Sequence, residues 1–155
     1  MGALAQGINP DFYTLTTPEN LSYRYDDTGI LQNITDLNGN VVTFSEDGIQ
    51  HSSGESIEFV RDHRDRIITI IDPAGNEIVY EYDLNGDLIS FTNQADLTTR
   101  YEYSSSPAHF LDAAFDPLDR RTIDVQYDED NLFVGVFDAN GNQIDDREYL
   151  SLIHI

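Results

Sequence analysis

The chain has 155 residues, 29 of them acidic and 8 basic, for a net charge of −21, and 39% of it is hydrophobic. That balance excludes nucleic acid and anionic membrane surfaces as partners, because both need Lys and Arg to displace counterions. It still leaves a chain long enough for one domain and too apolar for outright disorder. Cysteine is absent, which removes disulfides and Cys-based zinc sites. No segment approaches the roughly 18 apolar residues of a membrane span. Met1–Gln6 lacks signal-peptide character, so any export signal is expected outside this chain.

In chain order, residues 1–20 read as a lead-in, with Pro10 and Pro18 predicting a loop-rich segment. From Tyr23 a pattern begins, Tyr-x-Tyr-Asp-x-x-Gly-x-Leu-x-x-Ile-x-Asp-x-x-Gly-Asn-x-x-x-Phe. It is filled by Tyr23, Tyr25, Asp26, Gly29, Leu31, Ile34, Asp36, Gly39, Asn40 and Phe44. A second copy carries Phe59, Asp62, Ile67, Ile70, Asp72, Gly75, Asn76 and Tyr80, and a third starts at Tyr80 with Tyr82, Asp83, Gly86, Leu88 and Phe91. Tyr101 and Tyr103 follow, then a degenerate copy at Phe115, Asp116, Pro117 and Arg120. A fifth carries Tyr127, Asp128, Phe133, Val136, Asp138, Gly141 and Asn142. The repeat array covers 21–149, and 150–155 is a tail outside it. Such internal repetition marks an architecture built by stacking one small unit.

The unit is predicted to be a β-hairpin. Asp26–Gly29, Asp36–Gly39, Asp72–Gly75, Asp83–Gly86 and Asp138–Gly141 place Asp first and Gly fourth. The Asp side chain caps a type I turn, and Gly takes the positive φ that follows. The stretches between turns are rich in Ile, Val, Thr, Tyr and Phe and read as strands of about five residues. The expected fold is all-β, with stacked antiparallel hairpins forming a twisted or spiralling sheet. Tyr23/Tyr25, Tyr80/Tyr82 and Tyr101/Tyr103 are two apart and share a face. Leu31 and Ile34, three apart, do not alternate: either a bulge resets the parity or both faces are partly covered. One hairpin is marginal alone, so the units are expected to lean on neighbouring repeats of the parent chain.

Tyr-x-Tyr-Asp-x-x-Gly-x-Leu followed by Asp-x-x-Gly-Asn resembles the tyrosine-aspartate (YD, or RHS) repeat. That family includes bacterial RHS polymorphic toxins, cocoon subunits of insecticidal toxin complexes, and teneurins. The resemblance implies a non-enzymatic β ribbon spiralling into a hollow shell or stalk of a large secreted or cell-surface protein. In toxins the shell encloses an effector, and in teneurins it serves surface contact with a glycan as proposed ligand. The chain departs from the full pattern: it has no core-associated Asp-Pro-x-Gly-Leu segment and no effector, and its five or so units are too few to close a shell. Ser151–Ile155 resembles translated sequencing adapter.

No cofactor is expected. Calcium is the one ligand the turns suggest, because Asp36, Asp83, Asp87 and Asp138 present oxygens at alternate positions; Gly falls fourth, however, where a helix–loop–helix calcium loop needs it sixth. A backbone role in the turn is the competing reading and the stronger one. The histidines at 51, 63, 109 and 154 lack metal spacing. His51 with Ser52 or Ser53 could enter a nucleophilic arrangement, but no nucleophile-elbow motif accompanies it.

Overall fold

The computed structural model describes residues 11–144. The acidic run 145–148 and the tail lie outside them, as does His154. Thirteen strands form one antiparallel sheet in which spatial order follows chain order, with no helix among the described residues. The expectation of stacked antiparallel hairpins is met. The chain divides into two compact units, residues 1–77 and 78–155.

The first unit holds β1 (Phe12–Thr16), β2 (Ser22–Asp26), β3 (Leu31–Thr35), β4 (Val41–Ser45), β5 (Gly48–His51), β6 (Ser56–Arg61) and β7 (Ile67–Ile71). β1 is a correction to the lead-in reading: residues 12–16 pair along their whole length with β2, Leu15 opposite Tyr23 and Tyr13 opposite Tyr25. Pro18 sits inside the turn that joins them, where its fixed φ is useful, and it breaks no strand. In β2–β3, Tyr23 faces Ile34 and Tyr25 faces Leu31, with a register shift between Arg24 and Tyr25. Gln32 is the extra residue. A bulge therefore resets the parity and brings Leu31 and Ile34 onto the tyrosine face. The face continues through Ile34↔Val42, Phe44↔Ile49, Ile49↔Ile57 and Phe59↔Ile70.

The second unit runs from β8 (Glu77–Tyr82), which begins one residue before the division, through β9 (Leu88–Thr92) and β10 (Thr98–Tyr103). It continues with β11 (Leu111–Phe115), β12 (Arg121–Tyr127) and β13 (Phe133–Phe137). Its corresponding face reads Tyr80↔Phe91↔Thr99, Tyr82↔Leu88, Tyr101↔Ala114↔Ile123, Tyr103↔Leu111, Val125↔Val136 and Tyr127↔Phe133. Tyr80 lies 5.5 Å from Phe91, centroid to centroid. After Asp138–Gly141 the chain turns back along β13, with Gln143 bridging Phe137.

Burial is thin. Ala113, Ala114 and Val125 are the buried hydrophobic side chains among the described residues, and no large side chain is fully enclosed. The reverse face carries Arg24, Asn33, Thr43, Gln50 and Glu58 in the first unit, and Glu81, Ser90, Arg100 and Asp124 in the second. Apolar side chains on the aromatic face cover their cross-strand neighbours, Ala113 is buried on the reverse face opposite Asp124, and no second sheet or helix is present among the described residues.

Candidate functional site

The chemistry of the chain is concentrated in its turns. At Asp36 the first residue's N–H donates to the Asn40 carbonyl at 3.0 Å, and the Gly39 N–H donates to the Asp36 carbonyl at 3.1 Å. Asp36 Oδ1 accepts the N–H groups of Asn38 and Asn40, both at 2.8 Å, and Oδ2 accepts Asn40 Nδ2 at 2.7 Å. This accounts for the whole Asp-x-x-Gly-Asn motif: Asp caps, Gly takes φ of 82°, and Asn reaches back to the second carboxylate oxygen. Asp72 with Asn76 and Asp138 with Asn142 repeat it. Where Arg replaces that Asn, it forms an ion pair with the same oxygen: Arg66 on Asp62 at 2.7 Å and Arg120 on Asp116 at 2.5 Å.

These bonds stabilise the ionised carboxylates. The side-chain bond from Arg66 holds Asp62 well below its usual range, at about 2. Asp26, Asp36, Asp72, Asp116 and Asp138 are lowered by side-chain donors, led by Thr28, Asn40, Asn76, Arg120 and Asn142 respectively. At Asp83 burial opposes ionisation, and the N–H groups of Asp87 and Gly86 outweigh it.

The calcium candidates follow from this geometry. Asp36, Asp83 and Asp138 turn both carboxylate oxygens toward donors in their own turns. Asp87 instead bonds His109, Oδ1 to Nδ1 at 2.7 Å. Among the described residues no three His, Asp or Glu side chains converge as a metal site would require. His51 is a turn-capping residue: its Nδ1 meets the Ser53 hydroxyl at 2.6 Å and accepts the Ser53 N–H at 3.1 Å. Glu55 approaches that hydroxyl at 3.5 Å, and among the described residues no carboxylate bonds the second ring nitrogen.

The tyrosines named from the repeat take two structural positions, and Tyr23, Tyr80 and Tyr101 pair within their strands, opposite Ile34, Phe91 and Ala114. Tyr25, Tyr82, Tyr103 and Tyr127 each form the last pair before a turn, at a bulge, and the following residue starts the turn. After Tyr103 that residue is Ser104, not Asp, and the chain makes a longer loop, 104–110, closed by the Ser104 N–H on the Phe110 carbonyl. Against this loop lies a cavity of about 260 Å³, lined among others by Ser104, Ser106, Phe110, Tyr127, Asp128 and Asn131. Phe110 and Tyr127 meet edge to face at 4.7 Å. A cavity of about 440 Å³ in the first unit is lined by Asp26, Gln32, Phe44 and Arg61. Its polar groups are engaged: Asp26 with Gln32, and Arg61 with the Glu46 and Asp65 carbonyls.

No family model matches this chain, and no curated protein matches it. The functional reading therefore rests on the residues and their geometry. Sequence reasoning missed the 104–110 loop and its cavity. The available signal was the missing Asp after Tyr103, followed by Ser104, Ser105, Ser106 and Pro107. It also missed Gly48, the first residue of β5, directly after the two-residue turn Glu46-Asp47; the cue was Asp47-Gly48.

Proposed function

We propose that this chain is a non-enzymatic structural repeat region of the YD/RHS type, one stretch of a β shell or stalk in a larger secreted or cell-surface protein. The observation that carries the reading is the recurrence of one unit. A tyrosine pairs at a bulge, an aspartate opens the turn at Asp26, Asp83 and Asp128, and its Oδ1 accepts two backbone N–H groups inside that turn. Conserving so much hydrogen bonding within each turn serves architecture, and an aromatic face without a second layer suits a chain that continues into further hairpins or closes over a partner.

Thermal melting tests this. Gly86 has φ of 104°. Gly86→Val is expected to cost about 1–3 kcal/mol, because a β-branched residue at positive φ is strained. Millimolar Ca²⁺ is expected to shift the melt no further than NaCl of equal ionic strength. A variant that melts like the parent contradicts the turn-repeat reading. A Ca²⁺-specific rise would replace it with a calcium-binding adhesion module.

A further inference from the structure

We propose that the cavity between the 104–110 loop and the 128–131 turn binds an organic cation through its alkylammonium group. The argument starts from Asp128. Like the other turn aspartates, it uses Oδ1 to accept two backbone N–H groups, from Asp130 at 2.9 Å and Leu132 at 2.8 Å. In its counterparts Oδ2 is also taken: by Gln32 at Asp26, Asn40 at Asp36, Arg66 at Asp62 and Arg120 at Asp116. At Asp128 the residue four positions on is Leu132, which has no side-chain donor. Oδ2 therefore has no protein partner among the described residues, and Asp128 lines the cavity.

The surroundings fit a cation. Tyr127 and Phe110 supply aromatic wall, which attracts an ammonium through the ring quadrupole. Ser104, Ser106 and Asn131 add oxygens able to accept the remaining N–H groups. A net charge of −21 raises the local concentration of cations, whereas a neutral sugar would meet the same rings and hydroxyls and gain nothing from that field. The eight basic residues of the chain are all arginine, so no lysine ammonium of its own can fill the site. The loop wall is also the one place among the Tyr-ended hairpins where Tyr103 lacks a following turn aspartate, so the cavity is a local departure from the repeat. This inference stands apart from the structural role proposed above, since its readout is binding and not stability.

The test is an amide chemical-shift titration of the whole chain with n-butylammonium at constant ionic strength in NaCl, with methyl glucoside as the neutral arm. Saturable shifts are expected at Ser106, Phe110 and Tyr127. Asp128→Asn keeps the Oδ1 acceptor, as Asn93 does when it accepts the Ala95 and Leu97 N–H groups, and it should weaken binding by roughly tenfold. Leu132→Asn, at a residue that is 63% exposed, gives Oδ2 a donor and should weaken binding while the carboxylate remains. Asp116→Asn, outside the cavity, should leave affinity unchanged. Unsaturable shifts spread evenly over the acidic turns, undiminished affinity in both cavity variants, or occupancy by the glucoside without the ammonium would each overturn the proposal.

Discussion

Glycine at a turn answers two different constraints, and they predict different costs. Gly39 needs only its positive φ; a Cβ there would meet nothing within 4 Å. Gly39→Ala should therefore cost about 1 kcal/mol, the conformational penalty alone. Gly48, at φ of 146°, faces the neighbouring strand so closely that a Cβ would overlap the Ile57 carbonyl oxygen, which is backbone and cannot rotate away. Gly48→Ala should cost about 3 kcal/mol, read as a shift in denaturation midpoint at constant slope. At His109 the hydrogen bond and charge of Asp87, with a smaller contribution from Asp83, raise the imidazole pKa above its ordinary value. A raised folded value means the contact stabilises fully below the unfolded pKa and fades as pH climbs through the folded one. Tethering of the 104–110 loop should accordingly weaken as pH rises above the ordinary imidazole value and through the raised one. Imidazole titration by NMR should show the raised value collapse in Asp87→Asn; an unchanged titration would sever the link between loop and turn.

The hairpin shows how far the sequence could be read. Turns with Asp first and Gly fourth were legible because each residue type has a local backbone reason to be there. Asn20, Asp96, Asp119 and Asn131 occupy the same positive-φ position at 58° to 62°, as Asp65 does at 65°, and only some of their turns stood out. Asn and Asp tolerate the left-handed region, so a search keyed on Gly passes over them. The bulge was legible only as a parity conflict between Leu31 and Ile34, since pairing register is a property of two strands. The cavity was not legible at all, because Ser106, Phe110, Tyr127 and Asp128 converge through the pairing of β10, β11 and β12. The bulge predicts two small effects at one residue. Gln32→Ala leaves the two-against-one count intact and should cost under about 1 kcal/mol, mainly the loss of its bond to Asp26. Deleting Gln32 puts Leu31 and Ile34 two apart, where a regular strand holds both on the tyrosine face, so the first unit should still melt cooperatively with Tyr23 opposite Ile34 and Tyr25 opposite Leu31. Loss of cooperative melting in the deletion variant would show that the extra residue does more than reconcile the parity of these two side chains.

For the whole chain, charge decides the conditions under which the fold persists. Twenty-nine carboxylates face eight arginines, and there is no lysine. Buried apolar surface is too sparse to absorb much self-repulsion: the enclosed hydrophobic side chains among the described residues are two alanines and a valine. Screening should therefore matter unusually, with the melting midpoint rising steeply between about 0.02 and 1 M NaCl as the Debye length falls from tens of ångströms to about 3 Å. Acid has two opposed effects, and salt separates them. Protonating ordinary carboxylates near pH 4 relieves repulsion. Protonating Asp26, Asp36, Asp62, Asp72, Asp83, Asp116 and Asp138 removes turn bonds that favour their ionised forms. Their folded pKa values are depressed, so their stabilisation is complete above the unfolded value and is lost as pH falls from about 4 toward the 2 of Asp62. At low salt, stability should pass through a maximum near pH 4–5. At 1 M NaCl, where repulsion is already screened, it should only decline as pH drops below about 4. A low-pH maximum of equal height at both salt concentrations would mean that screening, and hence repulsion, is not what limits this fold.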